Sequence, residues 1–155
     1  MNDLPVILKL TDRRCLIVGG GKVALRRAES LVSVGAIVTV VATSCDEQLL
    51  AMDSVSCEQR AFSEPDLDNT FLVIIATDDK SVNDQINALA DAKNVLVNRV
   101  DDPAAGDISI PAHAHCGPVT VSVQTKSNSA TPPPANSDSL RDHNYPAWPA
   151  IHAAK

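Results

Sequence analysis

The residues best suited to chemistry form a glycine-rich turn directly after the first apolar run of the chain. The run Cys15-Leu16-Ile17-Val18 leads into the motif Gly19-Gly20-Gly21-Lys22-Val23-Ala24, which fits the pattern G-x-G-x-x-A. In this pattern Gly19 permits a tight turn, Gly21 lets a pyrophosphate approach the backbone, and Ala24 lets the next helix pack closely. Phosphates would meet the unpaired amides and the positive dipole end of that helix. The motif therefore predicts a dinucleotide site, and an ordinary glycine-rich turn is the alternative.

The choice of dinucleotide depends on the end of the second predicted strand. That end reads Val40-Val41-Ala42-Thr43-Ser44 and lacks the acidic residue that usually accepts the ribose hydroxyls of NAD. Asp46 follows, but it fits the cap of a short helix equally well. No arginine stands at the strand end to favour the 2′-phosphate of NADP. NAD is the predicted cofactor, and NADP stays open at this point.

Short apolar runs alternate with segments of helical periodicity over most of the chain. Strands are predicted at residues 15–18, 37–41, 55–60, 71–76 and 95–97, and helices at residues 23–34 and 79–92. Because helix-length crossovers join strands, the pattern predicts a parallel sheet. Residues 108–110 and 119–123 have no helix between them and predict an antiparallel extension. The predicted fold is α/β: a Rossmann-like doubly wound parallel sheet with a short β extension and a disordered C-terminal tail.

The tail is predicted from an abrupt change of composition. From Lys126 onward the chain carries the runs Pro132-Pro133-Pro134, Tyr145-Pro146 and Trp148-Pro149. Prolines remove backbone donors, and the few apolar residues of this segment cannot offset the entropy of ordering it. We therefore predict an NAD-binding domain at residues 1–103, a β extension of the same unit at 104–125, and a disordered tail at 126–155 that is dispensable for stability.

Charge and cysteine content exclude several functional classes. The chain carries 19 acidic and 13 basic side chains and a net charge of -6, which excludes the uniformly basic surface of a nucleic-acid binder and disfavours a membrane-surface protein. No apolar run approaches the roughly 20 residues that span a bilayer, and the N-terminus lacks the features of a signal peptide. The four cysteines form no C-x-x-C pair, so buried thiols are predicted instead of a zinc site or disulfides. A cytoplasmic protein is predicted.

Several separate blocks of the sequence occur in the order found in one enzyme family. The first two blocks are Leu4-Pro5-Val6-Ile7-Leu8 and the stretch from Cys15 to Ala28. The others are Ala76-Thr77-Asp78-Asp79, Val82-Asn83, Asn98-Arg99-Val100-Asp101-Asp102-Pro103, Ile110-Pro111-Ala112 and Gly117-Pro118-Val119-Thr120-Val121. Over about residues 1–125 the chain closely resembles precorrin-2 dehydrogenases, a family that includes the N-terminal module of siroheme synthase.

The resemblance implies NAD-dependent oxidation of precorrin-2, a tetrapyrrole, to sirohydrochlorin, a step towards siroheme. It implies that Asp101 is the general base of this reaction. It also implies cofactor contacts from Lys22 and Val23 in the glycine turn and from Thr43 and Ser44 after the second strand. Some members of the family also insert iron into sirohydrochlorin with the same aspartate, whereas others only dehydrogenate.

The residues themselves agree with a chemical role for Asp101. Removing a hydride and a proton from a reduced tetrapyrrole needs a nicotinamide ring and a proton acceptor beside the substrate. Asp101 follows the fifth predicted strand, at the sheet edge where doubly wound folds bind their ligands. A loop carboxylate that caps the turn before Pro103 is the alternative.

Two further groups are candidates for the site. Thr77 and Asp78 end the fourth predicted strand, where either could line the nicotinamide pocket or cap the helix that starts near Lys80. We predict pocket lining for Thr77 and capping for Asp78. His113 and His115 have the spacing of a metal clamp if they lie in a strand. Because no third ligand is evident, a solvated loop without metal is predicted.

The resemblance ends near Thr125. Family members continue with a Ser/Thr-Gly-Gly stretch, a Ser-Pro step and a helical region that supplies homodimer contacts and part of the tetrapyrrole cleft. Here the sequence Lys126-Ser127-Asn128-Ser129-Ala130 lacks both glycines and the Ser-Pro step, which suggests a frameshifted or truncated reading frame. Two hypotheses follow: an active precorrin-2 dehydrogenase, and a catalytically weak or inactive NAD-binding remnant. An unrelated Rossmann oxidoreductase is disfavoured by the ordered blocks.

Overall fold

The computed structural model describes residues 3–116 and 119–123 of the chain. These residues belong to two units that divide after Ser109. The described elements of the first unit are β1 (Arg14–Val18), α1 (Lys22–Ser33), β2 (Ile37–Ala42), α2 (Glu47–Leu50), β3 (Val55–Gln59), a 3-10 turn (Glu64–Leu67), β4 (Leu72–Ile75), α3 (Lys80–Ala92), β5 (Leu96–Arg99) and a second 3-10 turn (Pro103–Ala105). Those of the second unit are β6 (Ala112–Cys116) and β7 (Val119–Val123).

The strands of the first unit form one parallel sheet in the order β3-β2-β1-β4-β5. At its centre, Leu16 of β1 lies opposite Thr39 of β2 and Val73 of β4. From β1 the chain winds outward to β3, then returns to β4 and winds outward to β5, so right-handed crossovers place α1 and α3 on opposite faces. The predicted Rossmann-like doubly wound sheet is confirmed. Its strand order reverses between β1 and β4.

Aliphatic side chains build the core on both faces of the sheet. All four residues of β4 are buried, which explains why residues 71–76 form one uninterrupted apolar run in the sequence. One face packs against Ile86 and Ala90 of α3 and against Leu67 of the first 3-10 turn. The buried residues of α1 are Ala24, Ala28 and Leu31. Two of these three are alanines, so the backbone of α1 can lie close to the sheet, as the glycine motif predicts.

Asp79, and not Asp78, caps α3. The carboxylate of Asp79 accepts hydrogen bonds from the backbone N–H groups of Ser81 at 2.9 Å and Val82 at 3.1 Å. Its backbone is extended, with φ -95° and ψ 105°, as an N-cap requires. The prediction that Asp78 is the cap is wrong by one residue, because α3 begins at Lys80 and the cap is the residue directly before it.

Asp79→Ala should destabilise the first unit by about 1 kcal/mol, because the N–H groups of Ser81 and Val82 lose their side-chain acceptor. Asp78→Ala is the matched control, since Asp78 is exposed and its removal leaves the cap in place. Urea unfolding of the two variants measures the difference. Equal losses of stability would contradict the assignment of the cap to Asp79.

The second unit contains the predicted antiparallel pair, but its first strand lies elsewhere in the sequence. β6 spans Ala112–Cys116 and pairs antiparallel with β7, whereas residues 108–110 form no strand. The backbone N–H of Ile108 instead donates to the carbonyl of Val97 at 3.1 Å. Pro111 has no N–H with which to continue a ladder towards β6.

The prediction of a solvated loop at the two histidines is wrong, because both lie on β6. Within that strand His113 pairs with Ser122 and His115 with Thr120, so backbone pairing with β7 makes this segment a strand. Among the side chains that the structure describes, no group of three or more His, Cys, Asp or Glu is placed to hold a metal ion.

Of the three cysteines whose side chains the structure describes, one is buried as predicted. Cys15 of β1 is buried, and this burial raises the pKa of its thiol to about 11. Cys45 and Cys57 are half-buried.

No helix in the described part of the chain is long and apolar enough to cross a membrane. The tail predicted at 126–155 and the Gly117-Pro118 step lie outside the described residues, and the predicted domain boundaries stay predictions.

Candidate functional site

The carboxyl ends of the parallel strands bring the predicted site residues to one edge of the sheet. Backbone hydrogen bonds hold the loops there side by side. The N–H of Gly19 donates to the carbonyl of Val41 at 3.0 Å, and the N–H of Ala76 donates to the carbonyl of Val18 at 2.8 Å. The first bond joins the residue after β1 to β2, and the second joins the residue after β4 to β1, at the point where the strand order reverses. Doubly wound folds bind their ligands at such a point.

The first two glycines of the turn are required by the fold itself. Gly19 has φ +120°, which side chains of L-residues rarely adopt, and a Cβ built on it would collide with the carbonyl of Ala76. A Cβ on Gly20 would collide with the carbonyl of Ser44. The carbonyl of Gly20 also accepts a hydrogen bond from the N–H of Asp46 at 2.8 Å. The turn is therefore clamped between the loops that follow β2 and β4.

Gly21 differs from its two neighbours, because no heavy atom beyond the adjacent residues of the chain lies within 4 Å of a Cβ built on it. It is the N-cap of α1, and the helix has no side-chain cap and no acidic residue in its first turn. By contrast, the carboxylates of Asp46 and Asp79 cap α2 and α3. The open space at Gly21 and the uncapped N-terminus of α1 together fit a pyrophosphate, whose oxygens would take the place of the missing cap.

The other predicted cofactor contacts surround this turn. Lys22 is exposed in the first turn of α1, Val23 is half-buried, and Ala24 is fully buried against the sheet. Thr43 and Ser44 are exposed after β2, and the carbonyl of Ser44 lies against Gly20 as described above. The capping alternative for Asp46 is confirmed, since its carboxylate accepts a hydrogen bond from the N–H of Gln48 at 2.9 Å.

Thr77 is held in place after β4 by a buried residue of α3. The hydroxyl of Thr77 lies 2.5 Å from the side-chain oxygen of Asn83. The amide of Asn83 donates to the carbonyl of Thr77 at 3.0 Å. Asn83 is 1% exposed, so this pair forms part of the packed structure beneath the edge of the sheet.

Asp101 is paired with a buried arginine. Nε of Arg99 donates to Oδ1 of Asp101 at 2.8 Å, and Nη2 donates to Oδ2 at 2.8 Å. The side chain of Arg99 is 1% exposed and that of Asp101 is 31% exposed, so the carboxylate lies at the surface above a buried guanidinium. The hydrogen bonds from Arg99, aided by one from Asn83 and opposed by burial, hold the pKa of Asp101 well below its usual range.

A second carboxylate shares the same arginine. Nη1 of Arg99 donates to Oδ1 of Asp84 at 3.0 Å, and Asp84 also forms an ion pair with Lys80 at 2.9 Å. Hydrogen bonds from Lys80, and then from Arg99, lower the pKa of Asp84. Two cations and two anions therefore form a neutral cluster at the ends of α3 and β5.

The neighbouring carboxylate, Asp102, has a different role. It accepts a hydrogen bond from the N–H of Ala104 at 3.3 Å and is the N-cap of the 3-10 turn that begins at Pro103. The turn-capping alternative proposed for Asp101 thus applies to Asp102. Asp101 itself is directed to Arg99.

Reasoning from sequence missed Arg99 and Asn83 as parts of this network. Arg99 stands two residues before Asp101, and in an extended backbone this spacing places both side chains on one side. Because the predicted strand ends at residue 97, the sequence did not predict an extended backbone at Arg99. Asn83 occupies the apolar face of α3, three residues before Ile86 and seven before Ala90. A polar residue on an apolar face was the signal available for Asn83.

Comparison with known proteins identifies a family model, relatives and a solved structure that are similar to this chain. The family model NAD_binding_7, which describes NAD(P)-binding proteins, matches residues 6–112. Siroheme synthase of Nitrosococcus oceani is 40% identical over 128 residues, which cover 81% of this chain and 27% of that relative. Siroheme synthase of Acinetobacter baylyi is 41% identical over 136 residues, which cover 85% of this chain and 29% of that relative. A solved structure named SirC, precorrin-2 dehydrogenase, aligns with a TM-score of 0.71 at 30% identity over 83% of this chain and 64% of that one.

These similarities confirm the resemblance identified from the sequence blocks. The chain spans less than a third of the length of the siroheme synthases that it matches. The family model, however, covers more than half of the chain and includes β1 to β5. The chain belongs to this NAD(P)-binding family and is a homologue of siroheme synthases and of the precorrin-2 dehydrogenase SirC.

Proposed function

We propose that the chain is an NAD-dependent precorrin-2 dehydrogenase, which oxidises precorrin-2 to sirohydrochlorin in siroheme biosynthesis. One observation carries the proposal: the open, uncapped glycine turn and the ion-paired carboxylate of Asp101 lie at the same edge of one doubly wound sheet. Homology to siroheme synthases and to SirC supports the tetrapyrrole as substrate.

Each site residue has a role that follows from its position. The backbone at Gly21 and the N-terminus of α1 hold the pyrophosphate, with Lys22 beside it as a counter-charge. Thr77 lines the side of the crevice next to the nicotinamide, which accepts a hydride when the cofactor is bound. Asp101 takes the proton that the tetrapyrrole loses in the oxidation.

We propose NAD in preference to NADP because of the residues that follow β2. A 2′-phosphate needs a cation, and residues 43–46 include none. The exposed hydroxyls of Thr43 and Ser44 can instead form hydrogen bonds with an unmodified ribose. Calorimetric titration with each dinucleotide compares the two affinities, and tighter binding of NADP would contradict this assignment.

A second candidate function is an NAD-binding chain with little or no turnover. It is favoured by the departure from the family pattern after Thr125, since residues 126–130 lack both glycines and the Ser-Pro step. Iron insertion into sirohydrochlorin and a homodimer stay open beside either candidate. The cytoplasmic location remains a prediction from the sequence.

Anaerobic incubation of precorrin-2 with NAD and the complete chain distinguishes the two candidates. We expect formation of sirohydrochlorin, followed by its absorption spectrum, and a matching amount of NADH. Binding of NAD without either product would contradict the dehydrogenase and support the second candidate. Adding ferrous iron to the product in a separate reaction tests the chelatase activity.

A further inference from the structure

The network beneath Asp101 contains a charge that is costly to bury. A guanidinium that is 1% exposed loses its hydration, and it is tolerated only where paired groups replace the water. Arg99 has two such partners, Asp84 and Asp101, and they are held by different bonds. From Arg99, Asp84 accepts one hydrogen bond, whereas Asp101 accepts the two parallel bonds of a fork.

We propose that Arg99 is a positioning residue for Asp101, whose carboxylate it holds in one orientation at the edge of the crevice through two parallel hydrogen bonds. The proposal rests on the proposed dehydrogenase function for its catalytic consequence. The fork itself is a property of the folded chain, and it can be measured without cofactor or substrate.

The geometry of the fork favours positioning over a purely structural ion pair. Two parallel bonds to both carboxylate oxygens fix the plane of the carboxylate as well as its distance, which one bond would not do. The Arg99 side of the pair is buried, so the anchor is rigid, while the Asp101 side remains 31% exposed and accessible. A group that must meet a proton of a bound substrate needs this combination of fixed direction and access.

The groups that face Asp101 from β5 and α3 favour its ionised form. Arg99 faces it from β5 and Asn83 from α3, and both lower its pKa. Asp84 lies beyond Arg99 and is itself paired with Lys80, so its negative charge is largely balanced. Asp101 is therefore ionised at every pH at which a dehydrogenase works. The same lowered pKa makes its carboxylate a weaker base.

The linked effect on stability follows from the same shift. Because the folded-state pKa of Asp101 is depressed, its ion pair stabilises the fold above the unfolded-state pKa of about 4 and loses that contribution as the pH falls below it. Acid should therefore open the fork between Arg99 and Asp101. Arg99 itself stays charged throughout this range.

The decisive experiment titrates the carboxyl carbon of Asp101 by NMR in the complete chain without ligands. Arg99→Lys keeps a cation but loses the fork, so we expect the midpoint of Asp101 to rise towards the usual range of an aspartate. Asp84→Asn is the matched control: it removes the other carboxylate on Arg99, leaves the fork, and should not raise the midpoint. An unchanged midpoint in Arg99→Lys would overturn the proposal.

A second measurement remains valid if Arg99→Lys does not fold. Asp101→Asn alters an exposed residue, and it should shift the Nε–H resonance of Arg99 and speed its exchange with water, because the charged acceptor of the fork is lost. An Arg99 resonance that is identical in wild type and Asp101→Asn would show that no fork exists in solution. That result would overturn the proposal independently of the titration.

The effect of Arg99 on catalysis is tested by measuring kcat and KM separately. Arg99→Lys should lower kcat roughly 10- to 100-fold through misplacement of Asp101, with the affinity for NAD unchanged. An unchanged or higher kcat would contradict positioning. If the wild-type chain shows no turnover at all, the proposed dehydrogenase fails, whereas the titration still decides whether Arg99 holds Asp101 ionised.

Discussion

Asp101→Asn is expected to lower the turnover of precorrin-2 by about 10²- to 10⁴-fold, the usual contribution of a positioned general base. Asparagine keeps the shape of aspartate and one hydrogen-bond acceptor for Arg99, but it cannot accept a proton at neutral pH. Because the glycine turn is unchanged, the affinity for NAD should be that of the wild type. Anaerobic steady-state kinetics measure the first quantity, and calorimetry measures the second.

Asp102→Asn is the control that the structure provides for this prediction. Asp102 is the next residue, carries the same charge, and caps a 3-10 turn through the N–H of Ala104. Its substitution should change the rate little. A larger loss in Asp102→Asn than in Asp101→Asn would mean that the catalytic aspartate is assigned one residue too early. If neither change affects an active enzyme, the proton passes directly to water.

The fold was largely predictable because its signals are local. Apolar runs bounded by turn residues identified β1, β2, β4 and β5, whose residues are mostly buried. The edge strand β3 was also predicted, although its residues are half-buried or exposed. The main error in this sheet is at β5, predicted to end at residue 97 but extending to Arg99. Asn98 and Arg99 are polar, so they interrupt the apolar pattern, yet both are buried.

The polar network was much harder to predict than the strands. Burial of Arg99 depends on Asp84, which lies 15 residues earlier on a different element. Hydrophobic periodicity contains no information on such a partner, because it describes one element at a time. The cap of α3 shows the same limit on a smaller scale: Asp78 and Asp79 are chemically identical, and only the exact start of the helix decides between them.

The motif predicted separate roles for Gly19, in the tight turn, and for Gly21, beside the pyrophosphate. It predicted no role for Gly20. In the structure, Gly19 and Gly20 are required because carbonyls of neighbouring loops occupy the space of a side chain, whereas the space beside Gly21 is open. The fold thus explains two of the three glycines, and the third requires a different explanation.

Gly21→Val is therefore expected to abolish NAD binding, with a loss of at least about 100-fold or about 2.8 kcal/mol, while the chain stays folded. The backbone of Gly21 is extended at φ -85° and ψ -171°, a conformation that valine adopts readily. Its side chain would meet no protein atom near Cβ, but it would occupy the position from which a pyrophosphate must approach the N-terminus of α1. Calorimetry measures the affinity, and thermal unfolding measures the stability.

Gly19→Val is the matched control, because the same side chain then falls on a position that the fold needs. At φ +120° and against the carbonyl of Ala76, it should lower the melting temperature strongly, whether or not NAD is present. The two variants should thus separate: one loses the ligand and keeps the fold, and the other loses the fold. Wild-type affinity for NAD in Gly21→Val would contradict the pyrophosphate site, because a ligand that ignores a valine at the uncapped end of α1 is not bound there.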